Sequence, residues 1–494
     1  MTSRLPFRPC LLLPAVLPLL LSACMLGPDY VRPEVAGDAL AQHRLPRADP
    51  AVVTSAPPPQ RWWLPLGDAQ LTGLIEQALA NSPDLRAAHA RVEASRALVQ
   101  QRRAERLPSV AASAGYVRAQ PPDSITDTVR KVGSADSQLQ GLDLDDVKFY
   151  TAAFDASWEL DLFGRRRRAQ QEAQAQAEAD QAQLADAQVQ LAAEVGKVYA
   201  NYRGTQERLA IASESRDKAA QMLALTRQRR ERGAATQMDV ERALTQLRQQ
   251  EAVIPDLQAT LQESLDQLAL MTGRVPGALD ASLAASRPLP TLPAVVPVDD
   301  AAALIRRRPD VRQAERQLAA SSAKIGQALS AYFPQVKLYG VLGMGATSPS
   351  GLNASSAATM VAPMLQWNLF DFGKTRAQVA QARAGYQAYA ASYESKVLAA
   401  LQDANSALAR FGASRRTVVT AGEASEAASR SSDLVQQRYR AGATSLIDAL
   451  DVQRQQLSAR DSLAQAQLKL LVDYIGLQKS LGLGWQAPEQ TAAK

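Results

Sequence analysis

The chain has 494 residues, with 55 basic and 49 acidic side chains and a formal net charge of +6. This mild positive charge is spread along the sequence and does not indicate nucleic-acid binding. The two cysteines and two histidines form no metal-ligand cluster, and no nucleophile elbow, phosphate loop or dinucleotide fingerprint occurs, so the sequence predicts neither an enzyme nor a bound cofactor.

Residues 1–23 have the pattern of a secretory signal peptide, with a basic start and the apolar stretch Leu11–Leu21. The segment Leu21-Ser22-Ala23-Cys24 then has the pattern of a lipobox, so cleavage before Cys24 would leave that residue available for lipidation. An ordinary signal cleaved near Ala23 is the alternative. Because Cys10 is removed with the signal, the mature chain keeps one cysteine and can form no intrachain disulfide.

A strap and a helix are predicted next. Residues 24–66 are rich in proline and alanine, which favours an extended segment that leaves the lipid anchor. Apolar residues then recur at helical spacing from Leu71 to Leu79 and predict one helix from Asp68 to Arg106, although the segment Asn81–Arg86 also has the pattern of a helix start. Pro108 is predicted to end this helix.

Two strands follow, at about 108–119 and 148–160. In the second strand Tyr150, Phe154 and Trp158 share an apolar face, whereas the opposite face is mostly polar. Strands of this length with one apolar face fit a membrane-spanning barrel, in which these aromatic side chains face lipid and the terminal tryptophan belongs to an aromatic girdle. A soluble sheet packed on helices would show the same alternation.

The connections favour the barrel and lead into unusually long helices. The loop 120–147 is long and polar, as are the loops that outer-membrane barrels carry outside the cell. A proline-free helix is then predicted over 165–232, which is about 100 Å at 1.5 Å per residue. A returning helix of about half that length is predicted over 236–272. Apolar residues at coiled-coil spacing form narrow seams on the long helix, so it needs partner helices.

The whole unit occurs twice in the sequence. Pro309 lies 226 residues after Pro83, and Trp367 lies 209 residues after Trp158, on the same predicted face. The predicted boundaries are a first repeat at 67–280, a linker at 281–298, a second repeat at 299–484 and a tail at 485–494. The second repeat is predicted to contain strands at 334–346 and 359–369, a long helix at 374–441 with a seam through Leu398, Leu401, Asn405 and Leu408, and a returning helix at 445–481.

Both long helices are predicted to end in the same tight turn. Gly233 and Gly442 stand where a helix commonly ends in the left-handed conformation. The predicted N-caps of the returning helices, each followed three residues later by an aspartate, are Thr236 before Asp239 and Ser445 before Asp448.

One chain would supply four membrane strands, which are too few to close a barrel. An open sheet edge in lipid leaves backbone groups unpaired, so several chains must contribute strands around one axis. Three chains would supply twelve strands, and their helices would form a hollow cylinder. The predicted fold class is therefore an α+β membrane protein. In it a duplicated helix–β-hairpin–long helix unit builds a trimer whose twelve-stranded outer-membrane barrel joins a periplasmic α-helical barrel.

Several segments of the sequence are similar to the outer-membrane factors of tripartite efflux systems. They resemble most the lipoproteins of the NodT/OprM-type branch of the TolC superfamily. The segments that carry the resemblance are Cys24–Tyr30, Trp62-Trp63, Asn81–Leu85, Leu160–Gly164, Trp367–Gly373 and Tyr439–Gly442. The resemblance covers essentially the whole mature chain. It implies a homotrimeric channel in the outer membrane, lipid-anchored through Cys24, that docks with a periplasmic adaptor and an inner-membrane pump of the resistance-nodulation-division (RND) type.

The resemblance also implies roles for residues near the two turns. Four residues match the family's periplasmic gate, and the first, third and fourth of them share one helical face: Ile447, Asp448, Asp451 and Arg454. Tyr439 and Asp239 match a latch between coils, and this chain has Thr444 where some relatives carry a latch arginine. The turns themselves match the adaptor-docking tips, at Gly233, Thr236, Gly442 and Ser445.

The predicted function is passive conduction of small toxic compounds or drugs, from pump and adaptor to the exterior, through a gated trimeric tube. One alternative is a TolC-like exit duct for type I protein secretion. Another is a lipid-anchored coiled-coil scaffold without a pore, which would leave the aromatic strand faces unexplained. The sequence does not specify the cargo, because the pump and adaptor select it first.

Overall fold

The computed structural model describes residues 25–33, 45–47, 52–120 and 147–485. The predicted signal peptide, Cys24 and most of the loop 120–147 lie outside these residues. In chain order the main elements are β1 (Val53–Thr54), α1 (Ala69–Asn81), α2 (Pro83–Ala104), β2 (Ser109–Ala119), β3 (Val147–Leu160), α3 (Arg165–Glu231), α4 (Gln237–Met271), α5 (Asp280–Leu283), β4 (Val296–Pro297), α6 (Ala301–Arg307), α7 (Pro309–Ser330), β5 (Gln335–Ala346), β6 (Ala357–Gln366), α8 (Lys374–Arg440) and α9 (Leu446–Ser480).

The chain clusters into two compact units. Unit 1 comprises Met1–Arg32, Ala94–Ala177 and Gln317–Ala390. Unit 2 comprises Pro33–Glu93, Glu178–Arg316 and Ala391–Lys494. Because α3 and α8 each have 67 residues, both helices contribute to both units.

The prediction of one continuous helix over 68–106 is wrong, since α1 and α2 are separate helices. The ring of a proline clashes with the backbone of the preceding residue and drives that residue out of the helical region. Ser82, before Pro83, accordingly has a ψ of 126°. The same break recurs in the second repeat, where Arg308 before Pro309 has a ψ of 121°.

Unit 1 contains a four-stranded antiparallel sheet in the order β2-β3-β5-β6. The two hairpins have the same register. Ser109 pairs with Ser157 in the first hairpin, and Gln335 pairs with Gln366 in the second. The two pairs are related by the repeat offsets of 226 and 209 residues. The duplication therefore extends to individual residue pairs of the sheet.

One face of this sheet is mostly apolar across all four strands. The charged pair Arg118 and Lys148 lies on this face at the loop end of the first hairpin. Elsewhere the strand register brings one residue in two from each strand to this face, and all of these central residues except Thr359 are apolar. They are Val110, Ala112, Ala114 and Tyr116 on β2; Tyr150, Ala152, Phe154, Ala156 and Trp158 on β3; Leu338, Gly340, Leu342, Met344 and Ala346 on β5; and Ala357, Thr359, Val361, Pro363 and Leu365 on β6. Phe154 and Trp158 are exposed within the chain. The opposite face carries Asp155, Glu159 and Lys337.

The tryptophans of the two hairpins make equivalent hydrogen bonds. Trp158 Nε1 donates to the carbonyl of Arg106 at 3.0 Å, and Trp367 Nε1 donates to the carbonyl of Tyr332 at 3.0 Å. The prediction that the last strand continues to 369 is wrong for this chain by itself, because β6 ends at Gln366 and Trp367 lies just beyond it. The strand ends there because its pairing with β5 ends there.

Unit 2 has an aromatic core built partly by the predicted strap. Trp62 and Trp63 are almost fully buried, and their rings meet edge to face with centroids 5.6 Å apart. Trp62 also packs edge to face on Tyr474 of α9, at 6.3 Å. In addition β1 pairs in parallel with β4, which lies in the predicted linker. The strap prediction is thus wrong for residues 52–66, because two large aromatic side chains make this segment part of the core.

The buried seam of α8 in unit 2 consists mostly of small residues. Val397, Ala400, Ala404 and Ala407 are buried at alternating steps of three and four, whereas Leu398 of the predicted seam is exposed. Alanine lets helices approach closely, and larger side chains are buried beside this row at Tyr393, Phe411 and Leu408, the last a member of the predicted seam. None of the helices in the described parts of the chain is both long and apolar enough to cross a membrane.

Candidate functional site

The helices α3 and α8 end in the same backbone turn. Gly233 and Gly442 both have a φ of 74°, which glycine adopts without a Cβ clash. Their amides donate to carbonyls three residues earlier, at 2.9 and 3.0 Å. The amides of Ala234 and Ala443 donate to carbonyls five residues earlier, both at 2.8 Å. This pair of bonds is the Schellman motif, so the two helices end where the sequence predicts.

Capping bonds begin the returning helix α4. The hydroxyl of Thr236 accepts from the amide of Asp239 at 3.2 Å. In return the Asp239 carboxylate accepts from the amide and the hydroxyl of Thr236, at 2.9 and 2.7 Å. The bond from the Thr236 amide, followed by that from its hydroxyl, lowers the pKa of Asp239. Within this chain Asp239 therefore serves the cap, and its carboxylate is bonded to Thr236 rather than to Tyr439.

The second returning helix, α9, begins in the same way. Ser445 Oγ accepts from the amide of Asp448 at 3.2 Å and donates to the Asp448 carboxylate at 2.6 Å. Thr444 Oγ1 also donates to this carboxylate, at 3.2 Å. These hydroxyls, that of Ser445 first, lower the pKa of Asp448. Thr444 thus supports the cap, and the structure sets Asp448 apart from the other predicted gate residues.

Tyr439 ties the ends of the two long helices together through a residue that the sequence did not single out. Its ring is buried against Leu446 and Ala449. The guanidinium of Arg229, near the end of α3, lies 4.2 Å from the centroid of this ring. Arg229 Nη2 also donates to the carbonyl of Tyr439 at 2.6 Å. Basic residues are common in the last turn of any helix, so the sequence offered no signal for Arg229.

The remaining gate residues form an exposed face on α9. Ile447 is 53% exposed, and the side chains of Asp451 and Arg454 are 44% and 67% exposed. Arg454 Nη2 donates to Asp451 Oδ1 at 2.5 Å, and Gln455 Nε2 donates to Asp451 Oδ2 at 2.9 Å. The opposite side of these turns is buried against the chain itself, at Leu446, Ala449 and Gln453. The predicted gate residues therefore line a surface that this chain leaves uncovered.

Comparison with known proteins gives the family. The model of the family described as "Outer membrane efflux protein" matches residues 74–274 and again residues 302–483, once in each predicted repeat. The chain belongs to the outer membrane efflux protein family. The family resemblance and the fold class predicted from the sequence are thereby confirmed, and so is a place in the outer membrane.

Individual relatives match this chain over nearly its whole length. The solvent efflux pump outer membrane protein SrpC of Pseudomonas putida is 29% identical over 484 residues, which cover 97% of this chain and 99% of SrpC. The pyoverdine export outer membrane protein OpmQ of Pseudomonas aeruginosa is 30% identical, covering 96% of this chain and 98% of OpmQ.

Solved structures agree with this assignment. The outer-membrane channel OprN is 35% identical, with a TM-score of 0.84 over 94% of this chain and 100% of OprN. The open state of the Neisseria gonorrhoeae outer membrane channel MtrE is 26% identical, with a TM-score of 0.79 over 93% of this chain and 98% of MtrE.

The tip glycines of this efflux protein are required by the backbone alone. A Cβ on Gly233 or Gly442 would meet nothing within 4 Å, so a substitution there suffers only the left-handed strain. We expect Gly233→Ala to destabilise its turn by about 1 kcal/mol. Amide exchange at the start of α4 should then be about fivefold faster. Gly422→Ala, in the open interior of α8, is the control and should slow amide exchange in α8 around residue 422. Equal effects of the two substitutions on local amide exchange would contradict the prediction.

The caps should survive moderate acid. Because folding lowers the pKa of Asp239 and Asp448, their contribution to stability is fully present above the unfolded value of 3.8 and is lost as pH falls through the folded value. Amide exchange at the starts of α4 and α9, corrected for its intrinsic pH dependence, should stay constant from about pH 7 to pH 5. A loss of protection already at about pH 5 would contradict the capping role.

Proposed function

We propose that this chain forms the exit duct of a tripartite RND-type efflux pump and passively conducts small toxic compounds across the outer membrane. The observation that carries the proposal is the sheet of unit 1, whose one face is mostly apolar on all four strands and whose two outer strands each lack a second neighbour among the described residues. Lipid accepts such a face only if the sheet closes on itself, which requires further copies of the chain.

Three copies supply the twelve strands of a barrel, and their long helices form a periplasmic tube that is joined to it. In this homotrimer the tip turns at Gly233 and Gly442 dock the periplasmic adaptor, and the inner-membrane pump delivers cargo to the assembly. The relatives SrpC and OpmQ, named for solvent efflux and pyoverdine export, support a small-molecule cargo rather than a secreted protein.

The gate belongs to the same proposal. Ile447, Asp451 and Arg454 face the axis near the tips, where three copies of each residue form rings that narrow the tube. Their exposure within one chain supports this placement, because the surface is left for other copies or for the lumen.

Efflux by intact cells tests the function. Deleting the gene in a strain that keeps its pump and adaptor should raise the accumulation of a fluorescent dye substrate, and restoring the chain should reverse the effect. The purified protein should have the mass of three chains in detergent and conduct ions in a planar bilayer. Normal dye efflux together with loss of a secreted protein would favour type I secretion instead.

The lipid anchor on Cys24 has its own test. Cys24→Ser should abolish incorporation of labelled palmitate, whereas Cys10→Ser should retain it, because Cys10 is removed with the signal peptide. Labelling of the Cys24→Ser protein would contradict the anchor.

A further inference from the structure

The pairing between the two hairpins of unit 1 predicts how this sheet would pair with the sheet of another copy. Within the chain the two hairpins meet where β3 pairs with β5. The outer strands β2 and β6 belong to the same two hairpins, and within the described sheet each has one strand neighbour. If the repeats are equivalent at a subunit boundary, then β6 stands to β2 of the next copy as β3 stands to β5.

Two features of the hairpins support this equivalence. The registers of the two hairpins are related by the repeat offsets, as the pairs Ser109 with Ser157 and Gln335 with Gln366 show. The indole bonds of Trp158 and Trp367 end on carbonyls that are related by the offset of 226 residues. The offsets therefore transfer backbone positions, and not merely residue types.

We propose that β6 pairs antiparallel with β2 of a second copy, in the register that places Leu365 opposite Ala114 of the partner subunit. This proposal rests on the trimeric function proposed above and adds the residue register of the subunit boundary. Ala156 pairs with Gly340 in the intrachain junction. The offset of 209 residues carries Ala156 to Leu365, and the offset of 226 residues carries Gly340 back to Ala114.

The apolar face selects this register over its nearest competitors. It places Leu365 against Ala114 of the partner subunit and Pro363 against Tyr116 of the partner subunit, so the apolar face continues across the boundary. A slip by one residue would turn one strand over and bring either Ser109 and Ser113 of β2 or Gln366 of β6 into lipid. Pro363 lacks an amide hydrogen and removes at most one bond from the new ladder.

The proposed pairing also explains why β6 ends early in this chain. Strand β3 continues past the last β2 partner of its hairpin, because Trp158, Glu159 and Leu160 pair with β5. The equivalent residues of the second repeat are Trp367–Leu369, which lie outside β6 in this chain. Pairing with the partner's β2 would extend β6 through Leu369, as the sequence pattern predicts.

A further contact between the two copies is expected just outside the paired strands, after β6 of one copy and before β2 of the other. Phe163, after β3, stacks on Phe333, before β5, with ring centroids 4.7 Å apart. The offsets carry this contact to Phe372 and to Leu107 of the partner subunit. Phe372 is fully exposed in this chain and Leu107 is 66% exposed. Each is thus available for the contact that its counterpart makes inside the chain.

Disulfide cross-linking tests the register. A chain carrying Leu365→Cys and Ala114→Cys, oxidised in outer-membrane vesicles, should give covalent dimers and trimers on a denaturing gel that a reductant returns to monomers. The intrachain control is Ala156→Cys with Gly340→Cys, since a Cβ built on Gly340 lies 3.7 Å from Cβ of Ala156. That spacing suits a disulfide, so this control should oxidise without forming oligomers.

Two shifted pairs on the same face test the alternatives: Leu365→Cys with Ala112→Cys and Leu365→Cys with Tyr116→Cys. We expect neither shifted pair to give covalent dimers and trimers. Covalent oligomers from a shifted pair would overturn the register and leave the proposed function standing. The same holds if the proposed pair gives no covalent oligomers while the intrachain control oxidises in a trimeric particle. A monomeric wild-type particle would overturn the proposed function and this register together.

Discussion

Replacing Asp451 with alanine is expected to open the channel and to raise its conductance in a planar bilayer at least several-fold. In this chain Asp451 neutralises Arg454 on the uncovered face of α9, with 2.5 Å between Oδ1 and Nη2. In the proposed trimer the substitution leaves three guanidinium groups at one constriction without a carboxylate. Like charges held close together repel, so the variant should favour the wider state.

The size of the effect follows from the threefold repetition. An exposed ion pair contributes about 0.2–1 kcal/mol, and both partners here are substantially exposed. Because each pair lies within one helix and persists in the open state, the effect comes from the repulsion among the three guanidinium groups left unpaired. Each of the three repulsions is about 0.5 kcal/mol at a separation of ~8 Å in water, which gives roughly a 10-fold change in the ratio of open to closed channels. High salt should reduce the difference between variant and wild type, because exposed charges are screened.

Further variants separate charge from shape at the gate. Asp451→Asn keeps the size of the side chain and removes the charge, so it should open the channel as alanine does. Arg454→Ala leaves three unpaired carboxylates and should open it as well. The double variant removes both charges and should conduct less than either single variant. Asp433→Ala, an exposed site on α8, is the charge-matched control; conductance of Asp451→Ala equal to wild type would contradict the gate.

The sequence predicts the periodic parts of this fold well, because the same signals occur twice. The glycine turns, the N-caps and the apolar strand face each depend on residues within a few positions of one another. The prediction of a single helix over 68–106 passed over the break at Ser82, although the helix start at Asn81–Arg86, with Pro83, carries the necessary signal. The burial of Trp62 and Trp63 was not predicted for another reason, since only tertiary packing on Tyr474 makes a proline-rich segment part of the core.

The candidate site likewise has residues that the sequence predicts and residues that only the tertiary structure identifies. Ile447, Asp451 and Arg454 share a face because helical periodicity requires it, and the chain leaves that face exposed. Arg229 could not be chosen from the sequence, because its partner Tyr439 is 210 residues away and neighbouring arginines have the same composition signal. The end of β6 was predicted three residues too far along the chain, because its pairing with β5 ends at Gln366.

Arg229→Ala is expected to loosen the tip, with the largest effect at the end of α8. The side chain donates to the Tyr439 carbonyl and covers the Tyr439 ring. A hydrogen bond from a charged group contributes about 1.5–3 kcal/mol, and a cation–π contact about 0.5–1 kcal/mol at an exposed site. Allowing for replacement by water, a loss of about 2 kcal/mol should speed amide exchange in the last turn of α8 roughly 30-fold.

Arg230→Ala is the matched control, since it removes the same charge from the same helix end. It should change this exchange by less than about twofold, because the effect of a basic residue on a helix dipole is small. Arg229→Lys should be intermediate, since lysine restores the charge without the planar group that stacks on the ring. Equal exchange in the Arg229→Ala and Arg230→Ala proteins would show that the contact has no stabilising role.

Tyr439→Phe distinguishes the two roles that this residue can have. The phenyl ring keeps the stack with Arg229 and the backbone carbonyl keeps its donor, so amide exchange within the chain should remain as in wild type. A latch between neighbouring coils instead needs the hydroxyl group, and its loss should raise conductance while leaving exchange unchanged. If the substitution changes neither quantity, the tyrosine acts only through its ring, and the tip is held closed by the gate residues of α9.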